Sequence, residues 1–144
     1  MSSLAVNAPS PTRRDGEGFV FVSYSRADRA FVEELCAALT EVGVACWFDV
    51  NIPTGARWDE ELRDRVDQAA ALVVVMSPTG EASPWIRLEV GRALNRGVPV
   101  HPLLLDGRRF DWLAHLQYEA VQPGQVLPSN ELVERLRAAV AAPA

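Results

Sequence analysis

Lysine is absent from the 144-residue chain, in which all 14 basic side chains are arginine. A phosphate-binding P-loop, a Schiff-base enzyme and a kinase-type phosphate clamp each require a lysine amine for their chemistry. The sequence therefore excludes these three classes of function.

Positive charge is also scarce and scattered. The chain carries 19 acidic residues against its 14 arginines, which gives a formal charge of −5. The longest basic runs are the pairs at residues 13–14 and 108–109. Binding to nucleic acid or to an anionic membrane surface usually depends on a concentrated basic patch. We therefore expect neither nucleic acid nor membrane as a partner.

Cysteine, histidine and long apolar runs are few. Cys36 and Cys46 lie in apolar segments without Cys-x-x-Cys spacing, so we expect small buried side chains in a reducing compartment. His101 and His115 are distant from each other and lack partners at metal-ligand spacing, so no metal site is predicted. No apolar run approaches the roughly 18 residues that span a bilayer, and the first residues do not resemble a signal peptide. A cytoplasmic protein is expected.

Apolar clusters alternate between strand-like and helix-like spacing. Residues 19–24, 44–48, 71–76, 98–105 and 118–121 are predicted as strands, and residues 29–42, 58–70, 84–96 and 130–141 as helices. The pattern predicts one domain over residues 19–141. A disordered lead-in over residues 1–18 and a tail or truncated linker over residues 142–144 are expected on either side.

Five strands alternating with helices predict a doubly wound α/β fold. We expect a flavodoxin-like, five-stranded parallel sheet of order 2-1-3-4-5 with helices on both faces. In such sheets ligands bind at the carboxyl ends of the strands, where the winding reverses, here between strands one and three. The loops of interest are therefore residues 25–28, 77–83 and 49–58.

The residues in these loops argue against several common uses of the fold. A phosphoryl-accepting receiver domain needs acidic residues at the strand ends and a lysine, whereas Ser25 and Ser77 stand there. No G-x-G-x-x-G or G-x-S-x-G segment is present, which argues against a dinucleotide-binding loop and a nucleophile elbow.

The helix after the third strand offers one carboxylate near this edge. Its expected core stripe is Ile86, Val90 and Ala93 with Leu94, and Trp85 and Glu89 form an i,i+4 pair on an adjoining face. A carboxylate beside an indole can stabilise positive charge on a sugar carbon while the aromatic ring stacks on a base. The alternative, which the spacing alone favours, is an exposed Glu89 paired with Arg92.

Four short segments in order carry a resemblance to a known family. They are residues 21–28 (FVSYSRAD), residues 49–58 with their Asp, Ile, Gly and Trp, residues 73–78, and residues 83–89 (SPWIRLE). Together the segments resemble the boxes of a bacterial Toll/interleukin-1 receptor (TIR) domain, and the resemblance covers residues 18–140.

The resemblance implies an NAD+ nucleosidase that breaks the nicotinamide–ribose bond, giving nicotinamide and ADP-ribose or a cyclic isomer. It implies that Glu89 is the catalytic carboxylate, that NAD+ is the substrate, and that no cofactor or metal is needed. The implied substrate-binding residues are Trp85, Ser25, Arg26, Phe48, Asp49, Trp58 and Ser77. Activation by self-association in antiviral defence is implied as well. The segment implied to contact other TIR domains, the BB loop, comprises Asn51, Ile52, Pro53, Thr54, Gly55, Ala56 and Arg57.

The resemblance also leaves alternatives open. A non-catalytic module that assembles with other TIR domains is the main rival, and imitation of host TIR partners is a third reading. Ile86 stands where many members have Cys, and residues 79–80 replace a frequent aromatic. These departures leave the choice between hydrolysis and cyclisation open.

Overall fold

The computed structural model describes residues 18–50 and 60–142. Its strands are β1 (Val20–Ser23), β2 (Cys46–Trp47), β3 (Ala71–Met76), β4 (Val100–Leu104) and β5 (Glu119–Ala120). Its helices are α1 (Arg29–Glu41), α2 (Glu60–Gln68), α3 (Pro78–Glu81), α4 (Pro84–Arg96) and α5 (Asn130–Ala141). Two 3₁₀ turns are present at Arg26–Asp28 and Asp111–Leu113.

All the described strands pair in parallel, in the order β2-β1-β3-β4-β5. This order and direction confirm the predicted doubly wound sheet. The central strand β3 is buried at every position, because helices cover both faces of the sheet. Its side chains alternate between two apolar layers: Val73 and Val75 pack towards α1 and α5, whereas Leu72 and Val74 pack towards α2 and α4.

The outer strands are shorter than their apolar runs suggested. β2 has two residues where residues 44–48 were predicted, and β5 has two where residues 118–121 were predicted. β4 lies between β3 and the edge strand β5, as the predicted strand order requires, and it contains Pro102. Pairing with β5 begins at Leu103, one residue after this proline, so the missing N–H does not interrupt that ladder.

Helix ends follow local chemistry that the sequence displays. Ser83 accepts a hydrogen bond from the Ile86 amide and Pro84 occupies the first turn, which starts α4 where predicted. Gly97, at φ +77°, ends the same helix in the left-handed conformation. The short helix α3 was not predicted. It forms because the Ser77 hydroxyl accepts from the Gly80 amide and Pro78 again occupies the first turn.

The ends of the chain and the two cysteines complete the fold. Residues 1–17 and 143–144 of the predicted lead-in and tail lie outside the described residues. Gly18 is buried, and its amide donates to the Val140 carbonyl at 2.7 Å. Cys36 and Cys46 are free and buried in one apolar layer, as the sequence predicted.

Candidate functional site

The carboxyl ends of β1 and β3 lie side by side, with Ser23 in register with Val74. β1 also pairs with β2, so its two neighbours are reached by chain segments that wind in opposite directions. This is the switch point of the sheet, where α/β proteins of this type bind ligands.

Glu89 reaches this switch point from α4. Its carboxylate Oε1 accepts a 2.6 Å hydrogen bond from the Ser23 hydroxyl at the end of β1. Only 7% of the residue is exposed, because it is buried together with the apolar Ile86, Val90 and Ala93 of α4. The structure therefore places an acidic side chain, hydrogen-bonded to Ser23, at the edge of the sheet where α/β proteins of this type bind ligands.

The surroundings of Glu89 favour its neutral form. Burial raises the pKa of the Glu89 carboxyl to about 8, the hydrogen bond from Ser23 lowers it, and the charge of nearby Asp49 raises it. The carboxyl is therefore mostly protonated at neutral pH. A positively charged group brought beside it would favour its ionisation.

The alternative in which Glu89 pairs with Arg92 on an exposed surface is wrong. Arg92 instead makes a bidentate ion pair with Asp67 of α2, with both N–O distances at 2.7 Å. The predicted core stripe of α4 needs a related correction. Ile86, Val90 and Ala93 are buried, but Leu94 is 41% exposed. Glu89 takes the place of Leu94 in the buried stripe, and its carboxylate is hydrogen-bonded to Ser23 at the end of β1.

A network of hydroxyls and one carboxylate closes the loops after β1 and β3. The Ser77 hydroxyl donates to Asp28 Oδ2 at 2.5 Å, and the Ser25 hydroxyl donates to the same oxygen at 3.3 Å. Thr79 joins both serines, with Oγ–Oγ distances of 2.7 Å to Ser25 and 3.2 Å to Ser77. The two serines predicted to bind substrate are thus brought together, but each already has a protein partner.

The end of β2 approaches the same edge through Phe48 and Asp49. Phe48 is 1% exposed and packs edge-to-face against Tyr24, with ring centroids 5.7 Å apart. The Tyr24 hydroxyl donates to the Asp49 carbonyl at 2.6 Å. Phe48 therefore lies in the core behind the edge, whereas Asp49 is half-buried and lies near Glu89.

The remaining predicted residues differ in exposure. Trp85 is half-buried one helical turn before Glu89, and Arg26 is exposed in the turn after β1. Trp58 lies outside the described residues, and so do the BB-loop residues Asn51, Ile52, Pro53, Thr54, Gly55, Ala56 and Arg57.

Three contributors to the site were not predicted from the sequence: Ser23, Thr79, and Asp28 as the acceptor of the hydroxyl network. Ser23 had one available signal, because a polar residue inside an otherwise apolar strand requires a hydrogen-bonding partner when buried. Thr79 and Asp28 carry no comparable local signal, since both are polar residues in polar segments of the sequence.

Residues 18–50 and 60–142 contain no group of three or more His, Cys, Asp or Glu side chains placed to hold an ion. Among the same residues no helix is long and apolar enough to cross a membrane.

Comparison with known families decides the family. The model of the TIR domain matches residues 20–137, which include every described strand. The chain belongs to the TIR domain family. No curated protein matches the sequence of this TIR domain significantly.

Solved structures agree with the fold. The TIR domain of the Toll-related receptor TRR-2 from Hydra magnipapillata matches with a TM-score of 0.66 at 20% identity, covering 82% of this chain and 97% of that one. The TIR domains of the activated Roq1 resistosome, which directly recognises the pathogen effector XopQ, match with a TM-score of 0.55 at 20% identity. That match covers 86% of this chain and 81% of that one. A flavodiiron core, Flv1 from Synechocystis, shares the fold more distantly, with a TM-score of 0.51 and 14% identity over 88% of this chain and 35% of that one.

Proposed function

We propose that this TIR domain is an NAD+ nucleosidase in which Glu89 is the catalytic carboxylate. The observation that carries the proposal is the position of Glu89: buried, bonded to Ser23 at 2.6 Å, and placed at the switch point of the sheet. Burying a carboxyl group without a charged partner is costly for a folded protein. A functional role explains why this cost is retained.

The chemistry suits a site with a single carboxylate. In NAD+ the nicotinamide ring is already cationic, so the C1′–N bond breaks with its electron pair passing to the ring nitrogen. Nicotinamide then leaves as a neutral molecule without a general acid. The ribose carbon becomes oxocarbenium-like, and an ionised Glu89 beside it stabilises the developing positive charge.

Completion of the reaction requires a nucleophile at C1′. Attack by a water oxygen, followed by loss of its proton, gives ADP-ribose. Attack by a nitrogen or hydroxyl of the same molecule gives a cyclic isomer. In our proposal Trp85 provides a stacking wall, and Asp49 makes the pocket attractive to the cationic ring. Ser25, Arg26 and Ser77 hold the ribose and phosphates, and Phe48 supports the pocket from the core.

Self-association is part of the proposal. The Roq1 match is to the TIR domains of an activated resistosome. We infer that this TIR domain likewise acts when protomers associate, and that the result is NAD+ loss in a defence response. The segment proposed to contact the next protomer comprises residues 51–57.

The test is release of nicotinamide from NAD+ by concentrated, demonstrably oligomeric protein. We expect wild type to release it and Glu89→Gln to be at least 100-fold slower, the usual scale for loss of an electrostatic catalytic group. Glu81→Gln, a glutamate in the neighbouring helix α3, is the matched control and should retain activity. If oligomeric wild type leaves NAD+ intact, the nucleosidase proposal is wrong and a TIR–TIR interaction module is the better description.

A further inference from the structure

The chain leaving β2 is attached to the rest of the domain at two consecutive carbonyl groups. Tyr24, directly after β1, donates its hydroxyl to the Asp49 carbonyl at 2.6 Å. Arg29, in the first turn of α1, donates from Nη1 to the Val50 carbonyl at 3.2 Å. Both donors come from the β1–α1 segment, so the backbone at residues 49–50 is held from one side.

The two donors are themselves held in place. The Tyr24 ring is 4% exposed and packs edge-to-face on Phe48, which precedes the two carbonyls. Arg29 also pairs with Glu33 one turn along α1, at 3.0 Å. An aromatic ring fixed in the core gives its hydroxyl little freedom, so the bond to Asp49 constrains the backbone more strongly than an exposed contact would.

Tyr24, Asp49 and Glu89 are mutually close. The charge of Asp49 acts on Glu89, and the charges of both carboxylates act on the Tyr24 hydroxyl. Burial is the main reason that the pKa of Tyr24 is raised, so it stays a neutral donor throughout the working range of pH. Asp49 therefore lies near enough to Glu89 for its charge to oppose ionisation of Glu89.

We propose that Tyr24 is a positioning residue of the candidate site: its hydroxyl, assisted by Arg29, holds the residue 49–50 backbone so that the Asp49 carboxylate faces Glu89. The Asp49–Glu89 pair then forms a negatively charged receptor for the cationic nicotinamide ring. This second statement rests on the proposed function, whereas the positioning itself does not.

The Asp49–Glu89 pair links binding of the cationic substrate to ionisation of Glu89. A nearby like charge disfavours ionisation of Glu89, and a pyridinium cation placed between the two acids removes that penalty. Within the described residues, the Ser23 hydroxyl and the charge of Asp49 act on the Glu89 carboxyl, whereas the charges of Arg29, Asp49 and Glu89 act on the Tyr24 hydroxyl. Arg92 of its own helix is paired with Asp67 and does not neutralise it.

The experiment follows the Glu89 carboxyl directly, by carbon-13 NMR titration of the full chain, with the resonance assigned from its absence in Glu89→Gln. Tyr24→Phe retains the ring that packs on Phe48 and removes only the hydroxyl. We expect it to lower the titration midpoint of Glu89 by about half a pH unit or more, because Asp49 moves away. Asp49→Asn should lower the midpoint at least as much, and adding Tyr24→Phe to Asp49→Asn should lower it no further.

Tyr118→Phe is the matched control, because Tyr118 is an exposed tyrosine and should leave the midpoint unchanged. An unchanged or raised midpoint in Tyr24→Phe would overturn the proposal, as would fully additive effects of the two substitutions. These outcomes do not depend on catalysis. Failure of wild type to release nicotinamide would remove the proposed function and leave the titration result standing. Where activity is present, the acidic limb of its pH profile should move with the NMR midpoint.

Discussion

The Ser23 hydroxyl and the Glu89 carboxylate meet at 2.6 Å in a buried position, 66 residues apart in sequence. The bond connects the end of β1 to the second turn of α4. Among the described residues, Ser23 is the one hydrogen-bond donor to the Glu89 carboxylate, which is otherwise buried away from water. Its strength therefore bears on how readily Glu89 ionises.

Removing this donor should impair ionisation of Glu89. The Ser23 hydrogen bond lowers the pKa of Glu89, so Ser23→Ala should raise that pKa further. We expect the acidic limb of kcat/KM for nicotinamide release, near pH 8 in wild type, to move to higher pH by the same amount. Ser23→Thr keeps the hydroxyl and is the control. If the acidic limb lies at the same pH in wild type and in Ser23→Ala, the hydrogen bond does not control the ionisation of Glu89.

The stability of the domain should depend on pH through the same residue. The pKa of Glu89 is about 8 in the folded chain and 4.5 ordinarily, so the folded state binds the proton more tightly. Its contribution to stability is therefore fully present below pH 4.5 and is lost as the pH rises through 8.

Glu89→Gln cannot ionise, so between pH 5 and pH 9 it should lose less stability than wild type, by on the order of a few kcal/mol. Urea unfolding of both proteins at the two pH values measures the difference, with Glu81→Gln as the control. A Glu89→Gln protein whose unfolding free energy falls as steeply as that of wild type would argue against a buried, protonated Glu89.

The loop after β4 should constrain the turn after β3. A Cβ added at Gly107 would lie 3.0 Å from Pro78 Cγ in α3, and Gly107 also has a φ of +78°. Gly124 has the same φ but open space around the added atom. Gly124→Ala should cost about 1 kcal/mol from its backbone alone. Gly107→Ala should cost roughly 1 kcal/mol more, because Pro78 must move. If thermal or urea unfolding shows the same loss of stability for both variants, Pro78 moves aside for the added methyl group at no measurable cost.

Ser77 should matter more than an ordinary helix cap. Ser77→Ala removes the acceptor for the Gly80 amide and also the donor to Asp28, whereas Ser83→Ala removes a cap alone. We expect the Ser83→Ala loss in unfolding free energy to be about 1 kcal/mol, and the Ser77→Ala loss to be larger. A Ser77→Ala loss no greater than that of Ser83→Ala would mean that the Asp28 bond adds nothing.

The sequence predicted what local chemistry determines. Ser83 and Pro84 placed the start of α4, and the apolar run at residues 71–76 identified a strand covered on both faces. Contacts between segments that are distant along the chain could not be predicted from the sequence. Periodicity placed Glu89 on a side face of α4 and Leu94 in the core, whereas Glu89 is buried against Ser23 at the end of β1 and Leu94 is exposed. The hydroxyl network escaped prediction for the same reason, since Asp28 and Ser77 are 49 residues apart.

The most direct test of the central claim is nicotinamide release per protomer from NAD+ at pH 8, measured over a protein dilution series for wild type, Glu89→Gln and Glu81→Gln. We predict that release per protomer by wild type and Glu81→Gln increases with protein concentration, and that Glu89→Gln releases nicotinamide at least 100-fold more slowly. Release by Glu89→Gln at the wild-type rate would contradict the assignment of Glu89 as the catalytic carboxylate.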